Sequence, residues 1–205
     1  MNPMYLKDVE NNPEPGGWRA KMIETMRAAN APIPQILHLL AFKPDVTKEL
    51  ESFTQKVMRG PSPLSPGLRE LIATYTSASN ECPFCRNSHA AVAGDLLQDE
   101  HLVASVLQDL ETAPVGGAER ALLAFVKKVT QNLPAVAEAD IEVLHAHGWS
   151  DEAIYDAVTV CALFNFYNRW VSASGVGDMT AEAYRQTAKR LAKGYSEQAQ
   201  APRSE

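Results

Sequence analysis

The chain lacks an excess of basic residues. Its 19 lysines and arginines are outnumbered by 25 aspartates and glutamates, leaving a formal charge of -6 over 205 residues. Binding to a phosphate backbone needs clustered cations, and no basic run offsets the acidic balance, so nucleic acid is excluded as a partner. No stretch approaches the roughly 18 apolar residues that cross a bilayer, so no membrane association is expected. The opening segment, MNPMYLKDVENNPEPGGW, lacks the charged-then-apolar pattern of a secretory signal. Cysteine is scarce, with three in the chain. Without a signal, that scarcity implies a reducing, cytoplasmic compartment, where a close cysteine pair is catalytic or metal-binding more often than a structural staple. A glycine-rich GxGxxG loop is absent as well, so no flavin or nicotinamide site is expected and no cofactor is assigned.

Strand-like alternation is missing too, and what remains is helical. Hydrophobic residues make up 45% of the chain, enough for a sizeable core in one domain. Residues 1–17 read as an arm, because Pro3, Pro13, Pro15, Gly16 and Gly17 forbid a long helix. A single helical domain is expected over 18–194 and a frayed tail over 195–205. Within the domain, WRAKMIETMRAAN, IPQILHLLAF and VTKELESFTQKVM read as three helices, followed by a Pro/Gly-rich loop over 59–67. Ser65 and Pro66 then supply an N-cap and a first helical residue. In the second half, AERALLAFVKKVTQN, EADIEVLHAHG and TAEAYRQTAKRLAKG carry helical periodicity. Between the last two, Ser150 caps a long apolar helix expected at the centre of the fold. The expectation is an all-α bundle, with the two halves as possible helical repeats.

The chemistry concentrates in LRELIATYTSASNECPFCRNSHAAVA, residues 68–93. Leu68, Leu71, Ile72 and Tyr75 share one helix face. Glu70, Ala73, Thr74 and Ser77 share the other, and apart from the glutamate those residues are small enough for a second helix to approach closely. A short turn leads to Cys82 as N-cap and Pro83 as first helical residue. Cys85, His89, Val92 and Leu96 then form one stripe at i, i+4, i+7 and i+11. Glu70 lies about nine residues before the turn and His89 about nine after it, each about 13 Å away at 1.5 Å per residue. An antiparallel hairpin therefore permits a line Glu70–His89–Cys85 across two helices. Spacing alone leaves a metal site, a crosslink and a redox pair open.

Such a line can activate a thiol. A helix N-terminus favours a thiolate, His89 can take the thiol proton, and Glu70 can orient the imidazole. Cys85 would attack a peroxide and become a sulfenic acid, and Cys82 would condense with it to a disulfide.

The pattern Glu70, eleven residues, Cys82, two residues, Cys85, three residues, His89 resembles the signature of the AhpD-like superfamily, which contains the AhpD-type alkylhydroperoxidases and the carboxymuconolactone decarboxylases. A looser similarity reaches ERALLAFVKKVTQN and LFNFYNRWVSASGV, which look like segments of the peroxidase-related branch. The resemblance implies an all-helical fold, a homo-oligomer such as a trimer or hexamer, and a Glu–His–Cys relay. Cys85 would be the peroxidatic cysteine, Cys82 the resolving one, and His89 and Glu70 the relay. The partners implied are a small hydroperoxide and a dithiol reductant. Where the AhpD type has a histidine before the second cysteine, this chain has Phe84, which cannot shuttle a proton.

Two other readings compete. One is a carboxymuconolactone decarboxylase-like enzyme that uses His89 and Glu70 without redox. The other is a helical oligomeric binding or scaffold protein in which Cys82 and Cys85 are inert or, with His89 and Glu70, hold zinc. Elsewhere, Cys161 is expected to be a buried apolar cysteine, and His145 and His147 to sit at a helix C-terminus. Phe164, Phe166, Tyr167 and Trp170 are expected to fill the core or an interface, some of them lining an apolar pocket. Asn165, Asn168 and Arg169 are expected to fix their helix by hydrogen bonds.

Overall fold

A computed structural model describes residues 2–12 and 14–200. Two ends of the sequence reading, Met1 and residues 201–205, and Pro13 within the arm lie outside the described residues. The chain is all-α: no strand occurs among the described residues. The helices are α1 (Lys7–Glu10), α2 (Gly17–Ala28), α3 (Ile36–Phe42), α4 (Pro44–Arg59), α5 (Pro66–Ser79) and α6 (Pro83–Leu97). After these come α7 (Glu100–Gln108), α8 (Gly117–Gln131), α9 (Glu138–Ala146), α10 (Asp151–Ser174), α11 (Ala181–Leu191) and α12 (Glu197–Gln200). None of them is long and apolar enough to cross a membrane.

Local chemistry explains where the principal helices begin. Ser65, Asp99, Ser150 and Thr180 each place a side-chain oxygen where it accepts the N–H three residues on, satisfying a donor with no helical partner. Proline follows the cap at Pro66 and Pro83, where a missing N–H costs nothing. Gly175 ends α10 with φ 76°, a left-handed conformation that an L side chain resists.

Helices α5 and α6 form an antiparallel hairpin. The turn between them, Asn80–Glu81, is closed by the Cys82 N–H donating to the Ser77 carbonyl at 3.0 Å. The long helix α10 lies across α5 and α8, and its buried residues, among them Val160, Cys161 and Phe164, join Ile72, Leu122, Leu123 and Val126 in the principal core. Helix α11 packs on α6 from the other side. Cys161 is fully buried there, as its apolar surroundings led one to expect.

The described residues near each end of the chain are more firmly docked than the sequence suggests. Met4 is buried against Val9 and Leu39, and the Tyr5 N–H donates to the Ser174 carbonyl at the end of α10. Tyr195, assigned to a frayed tail, is a correction: it is 8% exposed and belongs to the principal core. The local composition, GYSEQAQ, is polar and gives no hint of this. The burial comes from distant partners: Gln55 accepts the Tyr195 N–H at 2.6 Å, and Arg19 reaches the Tyr195 carbonyl at 3.4 Å.

Candidate active site

The hairpin brings Glu70 and His89 side by side. Glu70 Oε2 stands 2.7 Å from His89 Nδ1, and the carboxylate is completely buried. Burial alone would raise the Glu70 carboxyl. Instead His89, Arg59 and Tyr195 together hold it below the ordinary carboxylate range. Its other oxygen accepts from Arg59 Nη2 at 2.6 Å and from the Tyr195 hydroxyl at 2.5 Å. A charged carboxylate against Nδ1 makes that nitrogen the donor, which leaves Nε2 as the nitrogen available for proton exchange. The imidazole is held edge-on against Phe164, with ring centroids 4.4 Å apart.

Arg59 ties this carboxylate to the far end of the chain. Besides Glu70 it donates to the carbonyls of Leu191 at 2.9 Å and Ala192 at 3.3 Å, where α11 ends. Its charge is fully compensated, and Glu70 raises its pKa despite the burial. The hydroxyl of Tyr195 also lies 3.3 Å from His89 Nδ1, so tyrosine, glutamate and histidine form one buried cluster. Burial and the Glu70 charge keep that phenol protonated far above the ordinary tyrosine range.

Cys82 and Cys85 are free and buried at the start of α6. The Cys82 thiol is pushed down to about 6, first by the hydrogen bond it accepts from the Cys85 thiol and then by the Ser172 and Asn168 side chains. Cys85 is pushed far up by the same shared proton and by burial. The two thiols share a proton, so the pair gives up its first proton more readily than its second. Asn168 is itself fixed: it donates to Ser77 Oγ and accepts from Asn80, both at 2.9 Å, so α10 braces the turn that presents Cys82. This is the hydrogen-bonding role expected of Asn165 and Asn168, since Asn165 also accepts from Asn80.

Cys85 and His89 line one cavity of about 90 Å³, together with Ser88, Phe164, Tyr167 and Tyr195. Cys82 is not part of its wall. That volume admits several waters or a molecule of a few heavy atoms. No hydrogen bond joins Cys85 to His89; both face the same space, so a molecule lying there touches both. Phe84 packs with Tyr184 of α11 in an apolar cluster that includes both cysteines.

Among the described residues no three His, Cys, Asp or Glu side chains are grouped to hold a metal ion. Glu70, the fourth ligand of the zinc reading, is instead consumed by Arg59, Tyr195 and His89. His145 and His147 sit exposed at the end of α9, one against Asp151 and the other on the Val143 carbonyl. Phe164 and Tyr167 do line the cavity, whereas Phe166 is half exposed.

The model of the carboxymuconolactone decarboxylase family matches residues 44–128, the stretch that carries Glu70, Cys82, Cys85 and His89. A peroxidase-related protein from Silicibacter sp. TM1040 superposes with a TM-score of 0.77 at 28% identity, covering 90% of this chain and 95% of that one. A second, from Ralstonia eutropha JMP134 and described as an alkylhydroperoxidase AhpD core, gives 0.71 at 27% identity, covering 83% and 88%. The family match over 44–128 and the two superpositions support the AhpD-like superfamily for this chain. The debrominase Bmp8 shares the AhpD-like fold as well, with a TM-score of 0.67 at 19% identity over 87% of this chain and 98% of that one. No protein with a curated description matches the chain.

Arg59 and Tyr195 complete the surroundings of the AhpD-like Glu–His pair, and neither was picked out in the sequence. Arg59 read as the first residue of the Pro/Gly-rich loop, eleven residues before Glu70, whereas α4 runs through it. Tyr195 lay beyond every recognisable motif. The one available signal was a buried glutamate on a small-residue face, which demands a counter-ion from somewhere.

Proposed function

We propose that the chain is a thiol-dependent peroxidase that reduces hydrogen peroxide or a small organic hydroperoxide through a Cys82–Cys85 disulfide cycle. The observation that carries this reading is the 2.7 Å Glu70–His89 hydrogen bond beside a cavity walled by Cys85. The first proton lost by the thiol pair passes to His89. The remaining proton moves from Cys85 to Cys82, which exposes a Cys85 thiolate to the cavity and leaves Cys82 as a neutral thiol.

A bound hydroperoxide then loses its O–O bond as the Cys85 sulfur bonds to the terminal oxygen. The alkoxide departs with the proton from His89, giving the alcohol and a Cys85 sulfenic acid. Cys82 attacks that sulfur, a disulfide forms, and hydroxide leaves with the Cys82 proton as water. A dithiol of a partner protein or small thiol reduces the disulfide and is itself oxidised. The net change is hydroperoxide plus dithiol to alcohol, water and disulfide. A cycle that must be reset by thiols fits the reducing cytoplasm, and we assign a homo-oligomeric state in keeping with the resemblance on which it rests.

The test is a free-thiol count before and after one equivalent of hydrogen peroxide. The expected result is rapid loss of two thiols, reversed by dithiothreitol and abolished in Cys85→Ser. Unreactive thiols in a folded protein would overturn the reading and favour the non-redox alternative, in which His89 and Glu70 alone move protons.

A further inference from the structure

The wall of the cavity away from the thiol pair carries charge that the peroxidase chemistry does not use. Arg19, Glu51 and Arg190 all line it. Arg19 and Glu51 neutralise each other in a buried pair, Nε to Oε1 at 2.5 Å, and Glu51 accepts a further bond from Trp18 Nε1 at 2.9 Å. Arg190 has no such carboxylate among the described residues; its one side-chain partner is the neutral amide oxygen of Gln200, at 2.8 Å. With Arg59 matched by Glu70, the cavity is left with one cation in excess in a chain whose overall charge is -6. Burial and the neighbouring Arg19 push the Arg190 guanidinium down to about 10, outweighing the opposite pull of Tyr195 and Glu51.

A second polar group in the same wall is also unsatisfied. The Ser88 hydroxyl is buried, the residue being 5% exposed, and makes no hydrogen bond. It sits on α6 one turn beyond Phe84, next to His89 and three residues from Cys85, and it faces the cavity. Buried polar groups are rarely left without a partner, and those that are commonly await one. A cation at one part of a small cavity and an orphaned hydroxyl beside the thiol together describe a molecule with an anionic end and a hydrogen-bonding end.

We infer that this cavity selects small carboxylate-bearing substrates, with Arg190 pairing the carboxylate and Ser88 hydrogen-bonding the group presented to Cys85. The inference rests on the peroxidase reading for the identity of that group, a hydroperoxide, but the anion subsite itself does not require turnover. A planar guanidinium matches a carboxylate with two parallel N–H donors, and in a buried site such a charge-assisted pair discriminates strongly against a neutral isostere.

Iodoacetate and iodoacetamide test this directly, because they differ in charge and scarcely in shape. Each alkylates a thiolate, forming a sulfur–carbon bond and releasing iodide. Modification at Cys85 is followed by fragmentation of the peptide that carries both cysteines. The expected result is a rate ratio favouring iodoacetate, falling about tenfold in Arg190→Gln and only partly kept in Arg190→Lys, which retains the charge without the two parallel donors. An unchanged ratio in a folded Arg190→Gln protein overturns the subsite. Should Arg190→Gln not fold, the unsubstituted protein decides: acetate must protect Cys85 from iodoacetamide at concentrations where acetamide does not, and equal protection overturns the proposal. A charge-dependent ratio without peroxide consumption would leave the subsite standing and remove the peroxidase reading. Peroxide consumption with a flat ratio would do the reverse.

Discussion

The hydroxyl of Tyr195 donates to Glu70 Oε1 at 2.5 Å across 125 positions of sequence. A residue late in the chain therefore shares the buried Glu70 carboxylate with His89 and Arg59, and the charge of Glu70 depends on all three.

Replacing Tyr195 with Phe removes one of the donors that hold the Glu70 carboxyl low. The expected outcome is a rise in its pKa, so that the acid limb of Cys85 oxidation by peroxide moves to higher pH. A loss of about 1–2 kcal/mol in stability should accompany it, because one hydrogen bond to a charged group disappears from a buried site. Stopped-flow thiol oxidation over a pH series and urea denaturation measure the two effects. An unshifted acid limb would remove Tyr195 from the relay.

Glu70→Gln has a larger cost. It strands the buried Arg59 guanidinium without its anion, and breaking a buried pair from one side costs about 3–5 kcal/mol. The sign with pH follows from the depressed carboxyl. Its contribution is fully present above the unfolded carboxylate value and is lost as pH falls through the lower folded value. The gap between wild type and Glu70→Gln should therefore be widest near neutrality and should close in acid. Urea midpoints at neutral and acid pH check this, and a constant gap would contradict it.

Cys85→Ala takes away the thiol that donates to Cys82, which is the first cause of the low Cys82 pKa. In the unsubstituted protein the ultraviolet absorbance of a single thiolate should appear with a midpoint near pH 6. In Cys85→Ala the midpoint should climb toward that of an ordinary thiol, while the Ser172 and Asn168 side chains keep it from returning completely. A midpoint that does not move would place the acidifying influence elsewhere.

Gly175→Ala challenges the docking of the N-terminal arm. The backbone there is left-handed, and an added Cβ would fall 2.5 Å from the Tyr5 nitrogen. The arm must shift away, giving up the Tyr5-to-Ser174 hydrogen bond and part of the burial of Met4. A loss on the order of 1–3 kcal/mol is expected from the strained backbone alone. Limited proteolysis should cut before residue 12 faster in the variant, with the core left intact. Equal cutting would show that the arm is held by its side chains and not by this contact.

The α5–α6 hairpin was readable because its signals are local. Ser65–Pro66 and Cys82–Pro83 mark both helix starts, and the equal spacing of Glu70 and His89 about the turn requires only the rise of a helix. The helices drawn from 18 onward appear at nearly the expected limits for the same reason. Helix α7 has no counterpart in the sequence reading. It is nine residues long and fully buries only Val103 and Val106, so its periodicity is brief. What the sequence concealed is the set of contacts made at long range. Tyr195 sits in a polar stretch whose burial is decided by Gln55, Arg19 and Arg59, and no local pattern encodes a partner 125 or 176 positions away. Arg190 was invisible for a related cause: a lysine- and arginine-rich helix end reads as solvated surface until Arg19, Glu51 and Tyr195 are known to stand beside it.

Order of synthesis gives the Tyr195 contact a further meaning. Glu70, both thiols and His89 leave the ribosome together on one hairpin, ahead of Asn168, which braces its turn. Tyr195 follows His89 by 106 positions, and Phe164 and Arg190 are also late. For that interval a growing chain carries its reactive thiols with the cavity unroofed and the carboxylate short of a donor. The residues made last are thus also the ones that wall in the sulfur atoms.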